Sequence, residues 1–330
     1  MTKTDITILA SEHCIFSGVV GPMDMFLQAG VMWHWFQEQA PTPYFNVRIA
    51  TLDGNPVKAN NEMLVVPHCS IEDINDTDLI ILPSQGAHYA IRDEAFYQRV
   101  DWIKQRFNQG TSLASICTGA FSLAATGLLN GKMATTHWGV AHAFRKAFPD
   151  VNLRTDLMVT EEGEGRLFCG GGITADLSLT LYLINKYCGR EVALQSSRCS
   201  LVDLNRLSQL PFSIFIPDSS HGDIEIKRAQ TWIEDNYAQS ISVDFLAEKA
   251  GVSSRQFNRR FKVATQETAT KYIQLIRVEA AKRLLERTTK PFDEISLSVG
   301  YENSSFFRRL FKQVTSKTPM EYRKIFCQFI

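Results

Sequence analysis

The 330-residue sequence predicts two domains of different class. Residues 1–200 should form an α/β domain, a parallel sheet sandwiched by helices, and residues 223–330 an all-α domain. Three observations predict this. Short β-rich apolar runs alternate with helical spacing through the first two hundred positions, the pattern of a parallel sheet covered by helices. Pro211 and Pro217 then interrupt a polar stretch. Beyond it the chain has helical periodicity throughout and carries one segment twice.

In order along the first domain, runs 5–10, 45–52, 78–82 and 111–116 read as buried strands, because a strand covered on both faces is apolar nearly throughout. Segments 21–30, 93–108 and 118–127 have helical spacing. Short strands are expected within 150–169 and a closing helix over 175–187. The Pro-broken stretch 201–222 reads as a linker. After it, 223–237 is an amphipathic helix and 268–287 a long connecting helix, with Ile276, Ala280 and Leu284 forming one apolar stripe. Thr318-Pro319 should start a last helix, with Thr as cap and Pro at the first helical position.

The repeat is the most informative feature. Segments 253–272 and 303–322 share Ser254/Ser304, Phe257/Phe307, Arg259/Arg309, Phe261/Phe311, Lys262/Lys312, Thr265/Thr315, Thr268/Thr318 and Tyr272/Tyr322. A short apolar helix and a glycine-marked turn, at Gly251 and Gly300, precede each copy. That order predicts helix-turn-helix motifs over 243–264 and 292–314, whose second helices can enter DNA major grooves. The phenylalanines, four apart, should face the core. The opposite faces then offer Ser254, Arg255, Asn258, Arg259 and Lys262 in the first copy, and Asn303, Ser304, Ser305, Arg308 and Arg309 in the second. Arg suits bidentate contact to guanine and Asn to adenine, while Ser and Lys more often hold phosphate. A rigid connecting helix could hold the two recognition helices about one DNA turn, roughly 34 Å, apart.

Charge and composition agree. The net charge is zero, but residues 221–330 hold 19 Lys and Arg against 13 Asp and Glu, and the remainder is acidic to the same extent. A modestly basic module on an acidic body suits a double-stranded DNA partner. Seven scattered cysteines without a Cys-x-x-Cys pair argue for a reducing compartment and against structural zinc. The N-terminus enters a strand directly and no apolar run reaches the roughly 20 residues of a membrane span. A cytoplasmic protein with no membrane partner, metal or cofactor is expected.

The C-terminal segment resembles the AraC/XylS family of bacterial transcription regulators. Ile295, Gly300-Tyr301, Phe307 to Lys312 and Thr318-Pro319-Met320-Glu321-Tyr322-Arg323 carry the resemblance; Ser296-Leu297-Ser298 departs from the Ala more usual there. The resemblance implies sequence-specific binding of promoter DNA, with RNA polymerase as a further partner.

In the first domain, Ser115-Ile116-Cys117-Thr118-Gly119-Ala120 stands where a strand ends and a helix begins. Such a turn aims Cys117 above the sheet, beside a helix N-terminus that should lower its pKa. His137 follows twenty positions later. Residues 115–138 resemble the class I glutamine amidotransferase-like (ThiJ/PfpI) superfamily, and the likeness extends over about 5–190. It implies an amidotransferase-like, flavodoxin-like fold, and makes Cys117 and His137 candidate nucleophile and partner. Members usually place an acid after the first strand, where alignment puts Gly18; no third group to orient His137 is evident either, although Asp176 could approach from the later helix. The resemblance therefore implies an enzyme-like sensor rather than an enzyme, with Cys-dependent amidase or glyoxalase-like activity and thiol redox sensing as the alternatives.

Ligands of open α/β sheets bind beyond the carboxyl ends of the strands. The expected pocket for a small-molecule effector gathers residues 11–17, Ser84, Gln85, Gly86, Ala87, Cys117, Thr118, Gly119 and His137. The N–H groups of Gly86 and Thr118 are candidates to hold a carboxylate. Trp33, His34, Trp35 and Phe36 could be core, pocket lid or the face of an expected homodimer. The whole reads as a sequence-specific DNA-binding regulator that responds to a small metabolite.

Overall fold

The structure, a computed structural model, describes residues 2–327, and the chain divides into two compact units, residues 1–209 and 210–330.

The first unit contains, in order, β1 (Thr4–Leu9), α1 (Ser17–Gln28), α2 (Met32–Phe36), β2 (Phe45–Thr51), β3 (Val57–Lys58), β4 (Leu64–Val65), β5 (Cys69–Ser70) and β6 (Leu79–Leu82). There follow α3 (Glu94–Asn108), β7 (Ser112–Ile116), α4 (Ala120–Ala125), β8 (Met133–Ala134), α5 (Ala141–Ala147), β9 (Asn152–Leu153), β10 (Val159–Glu162), β11 (Leu167–Gly170), α6 (Ala175–Cys188) and α7 (Arg190–Ser200). Seven strands form one sheet in the order β10-β11-β7-β6-β1-β2-β5. All its pairings are parallel except β10 with β11. The four predicted strands β1, β2, β6 and β7 lie side by side at its centre. Their alternate side chains feed two cores: Ile6, Ile8 and Ile81 face α1 and α6, whereas Ile80, Leu82 and Leu113 face α3 and α4. This alternation on a sheet covered on both sides explains the unbroken apolar runs.

Helix α1 begins at Ser17, a turn earlier than the predicted 21, and takes Pro22 into its interior. The earlier start puts Gly18 and Gly21 on the helix. Short α2 contains the aromatic cluster at 33–36, in which Trp35 and Phe36 are exposed. Helix α7 lies beyond the predicted closing helix.

The second unit contains α8 (Ile224–Asn236), α9 (Val243–Lys249), α10 (Ser254–Thr265), α11 (Ala269–Arg287), α12 (Phe292–Ser298), α13 (Ser304–Thr315) and α14 (Pro319–Phe326). It has two cores, one under each copy of the repeat. Helix α11 serves both, with Tyr272, Ile273 and Ile276 in the first and Val278, Ala280, Ala281 and Leu285 in the second. The expected single stripe through Ile276, Ala280 and Leu284 is thus divided, because α11 is gripped by different helices along its length. The Thr318–Glu321 capping box with Pro319 in the first turn starts α14.

The stretch 201–222 has no helix or strand among its residues, and its parts pack on different units. Gln209 is buried in the first unit. The Phe215 N–H donates to Glu279 Oε1 at 3.2 Å in the second.

Candidate DNA interface and effector pocket

Motif α9–α10 turns at Gly251 and motif α12–α13 at Gly300, with φ +66° and +87°, a region that favours glycine. Each second helix starts on a side-chain cap. Ser253 accepts from the Gln256 N–H and Asn303 from the Phe306 N–H. Phe257, Phe261, Phe307 and Phe311 are wholly buried. The shared threonines also explain themselves. Thr265 Oγ1 donates to Phe261 O and Thr315 Oγ1 to Phe311 O, both at 2.8 Å. Tyr272 and Tyr322 donate to Glu234 and Glu286 at 2.6 and 2.7 Å. The repeat is therefore duplicated in its bonding as well as its pattern.

Burying the phenylalanines leaves Arg255, Asn258, Arg259 and Lys262 exposed on α10, and Ser305 and Arg309 exposed on α13. Three of the proposed contacts have local work as well, and a fourth is partly covered. Ser254 Oγ donates to Asp244, and the Asn303 side chain is engaged as the α13 cap. Ser304 is half-buried. Arg308 donates to Asp293 at 3.0 Å with its guanidinium 5.0 Å from the Phe292 ring centroid. An exposed pair of this kind contributes little to stability and opens readily.

Two polar clusters that sequence spacing does not indicate organise the unit. Buried Arg277 donates to Tyr237 O at 2.8 Å and Gln239 O at 2.7 Å, and its guanidinium stands 4.8 Å from the Tyr301 ring centroid. Buried Lys282 donates to Glu279 and to Ser213 O, each at 2.7 Å. The partners lie up to 69 positions apart, beyond the reach of any local pattern.

In the first unit, Cys117 follows β7 with φ +54°, the strained elbow expected of a nucleophile turn. A short 3₁₀ turn over Cys117–Gly119 leads into α4. Gly119 is required there, since a Cβ would stand 2.3 Å from Leu82 O. Ser84 and Thr118 hydroxyls pair at 2.9 Å, and the Gln85 N–H donates to Thr118 Oγ1 at 2.8 Å. The Gly86 N–H donates to Ser84 Oγ at 3.3 Å, so it is engaged rather than open to a carboxylate as the sequence suggested.

The thiol also departs from expectation. Burial pushes the Cys117 pKa up, opposed by the Ser84 hydroxyl and the Thr118 N–H and reinforced by Asp176. Desolvation outweighs the helix-start effect because Cys117 is only 4% exposed. His137 is brought near the elbow by its neighbour, as the Thr136 hydroxyl donates to Cys117 O at 2.7 Å. Yet His137 Nδ1 accepts from the Gly139 N–H at 3.0 Å, and among the described residues no hydrogen bond joins His137 to Cys117 or Asp176. Burial lowers the His137 pKa.

Gly18, the position at which the resemblance leads one to expect an acid, lies in the first turn of α1, where a Cβ would stand 3.8 Å from the Ser84 N. Asp176 occupies the start of α6, 4% exposed, its pKa raised by burial to about 6. Asp176 Oδ1 accepts from the Leu177 N–H at 2.6 Å, and Oδ2 lies 3.2 Å from where a Gly21 Cβ would be. His13, in the loop after β1, stacks on His88, in the segment after β6, with ring centroids 4.1 Å apart. Sequence separation hid that pair. Among the described residues no group of three or more His, Cys, Asp or Glu could hold a metal ion, and no helix is long and apolar enough to cross a membrane.

A double helix-turn-helix unit joined to an open α/β unit with a cysteine elbow defines a helix-turn-helix transcription regulator with an enzyme-like companion domain. Comparison with known proteins agrees on both parts. Residues 20–161 match the DJ-1/PfpI family and residues 246–325 match a helix-turn-helix domain. The chain joins a DJ-1/PfpI-family domain to an AraC-type helix-turn-helix domain. It is 27% identical over 279 residues to the HTH-type transcriptional regulator CdhR of Pseudomonas aeruginosa, covering 84% of this chain and 81% of that protein. The isonitrile hydratase of Pseudomonas putida is 33% identical over 157 residues, 47% of this chain and 64% of the enzyme. The crystal structure of a putative transcriptional regulator protein from Vibrio parahaemolyticus shares the fold. Its TM-score is 0.52 at 21% identity, over 60% of this chain and 98% of that one.

Proposed function

We propose that this regulator binds two adjacent major-groove segments through α10 and α13, and that its first unit senses a small molecule without transforming it. The observation that supports the first part is the equivalent exposure of Arg259 and Arg309 on two helices whose phenylalanines are fully buried. Helix α11, 19 residues long, is about 28 Å at 1.5 Å per residue, a spacer of the right order for one DNA turn. Support for the second part is the thiol held protonated by burial, a histidine engaged elsewhere and glycine at position 18. A homodimer and contact with RNA polymerase belong to the same reading. Thermal-shift screening of full-length protein against small metabolites, repeated with Cys117→Trp, tests the sensor: stabilisation by a compound should vanish in the filled pocket.

A second reading, a Cys-dependent enzyme, is favoured by the strained elbow itself and by the likeness to a hydratase. Measurable isonitrile or amide turnover that Cys117→Ala abolishes would establish it. A thiol redox sensor would instead lose its response to peroxide in the same variant.

A further inference from the structure

We propose that Gln209 is a releasable clip through which the pocket controls the chain leading into the DNA-binding unit. The proposal rests on the pocket being the effector site. Gln209 is the last residue of the first unit, and Leu210 opens the second. It follows an isolated antiparallel bridge between Ser208 and Leu157, with the Met158 N–H donating to Leu207 O at 3.0 Å and the Gln209 N–H to Asp156 O at 3.2 Å, in a stretch otherwise without helix or strand. Leu207 is 71% exposed, yet Gln209 is only 3% exposed. A side chain sunk so far from such a segment needs a reason.

Its amide grips the backbone on both sides of His137. Gln209 Nε2 lies 3.0 Å from each of Thr135 Oγ1, Thr136 O and Leu157 O, and Oε1 accepts from the Trp138 N–H at 3.2 Å. Thr136 in turn donates its hydroxyl to Cys117 O. Cys117, Thr136 and Gln209 thus form one chain of hydrogen bonds from the elbow to the unit boundary. Space for the amide comes from Gly171, where a Cβ would fall 2.0 Å from Gln209 Nε2.

The attachment is polar, so water can replace each bond on release and the net cost stays small. A ligand that moves residues 136–138 therefore alters how firmly Gln209 is held. If residues 136–138 set how firmly Gln209 is held, linkage requires that freeing Gln209 loosens residues 136–138 to the same extent. That reciprocity separates a clip from a passive anchor.

Hydrogen exchange of the full chain, read by mass spectrometry without any added ligand, tests this. Gln209→Met keeps the volume and removes the bonds; Gly171→Ala evicts the amide without altering it; Thr136→Val cuts the link to Cys117. Gln209→Met and Gly171→Ala should each speed exchange about tenfold in 135–140 as well as in 203–212, with β7 unchanged. Thr136→Val should speed exchange in 205–210. Release of 203–212 with wild-type rates in 135–140 would show a passive anchor and overturn the proposal, as would Thr136→Val without effect on 205–210. If Gly171→Ala does not fold, Gln209→Met and Gln209→Asn carry the same test. A pocket that proves to bind nothing would leave these exchange results standing and defeat the effector reading alone.

Discussion

The Arg277 guanidinium stacks on the Tyr301 ring at 4.8 Å while donating to the Tyr237 and Gln239 carbonyls, so one buried side chain ties the loop before the first motif to the turn of the second. Gly300 completes the fit, since a Cβ there would stand 2.7 Å from Ala238 O. Arg277→Ala leaves two carbonyls without their donor, which costs about 1–3 kcal/mol where such groups stay buried. Denaturant unfolding should show that loss. Footprints at matched occupancy should keep the first half-site while protection of the second becomes diffuse. An unchanged footprint would mean that the motifs are oriented without Arg277.

The boundary of the second unit is testable in the same way. Fragment 210–330 keeps Phe215 and Ser213 against the Glu279–Lys282 pair; fragment 223–330 discards them. Both should fold, with the shorter one less stable by about 1–3 kcal/mol for the buried charges left short of partners. Equal midpoints in urea would place no weight on residues 210–222.

Asp176 gives the first unit a pH signature. Its folded pKa, about 6, lies above the ordinary carboxyl value of 3.8, so the ionised form is disfavoured in the native state. The sign follows: the penalty is present at pH 7 and is relieved as pH falls through about 6 toward 4. Asp176→Asn should raise stability at pH 7 by on the order of 1–3 kcal/mol and remove that part of the pH dependence. A variant less stable than wild type at pH 7 would show that the charge is satisfied in the native protein.

Cys117 should alkylate slowly at neutral pH, with a rate that rises as pH passes above the ordinary thiol value of 9.0, because burial raises its pKa. Cys117→Ala should retain near-normal regulation. A thiol already fully reactive at pH 6 would contradict this and favour the enzyme.

Much of this was legible in the sequence because it is local or periodic. The four central strands, the paired phenylalanines and the elbow at Cys117 each announce themselves within a few residues. What was not legible is long-range polar pairing. Arg277, the Glu279–Lys282 pair, Gln209 and the His13–His88 stack join positions brought together only by the fold. Local spacing also could not say which polar residues of the recognition helices are engaged internally. Asn303 serves as a cap and Arg308 reaches Asp293, although both fall on the face predicted for DNA. For Cys117 the elbow was evident but the burial was not, and burial reverses the direction in which its pKa moves.

The central claim is that two equivalent helices read two adjacent grooves, and footprinting of Arg259→Ala and Arg309→Ala on a DNA site selected by the full-length protein tests it most directly. Each variant should lose about 1–3 kcal/mol of specific binding, with loss of protection confined to one half of a bipartite site and a different half in each case. Two footprints identical to wild type, or two that fail over the same half, would contradict it.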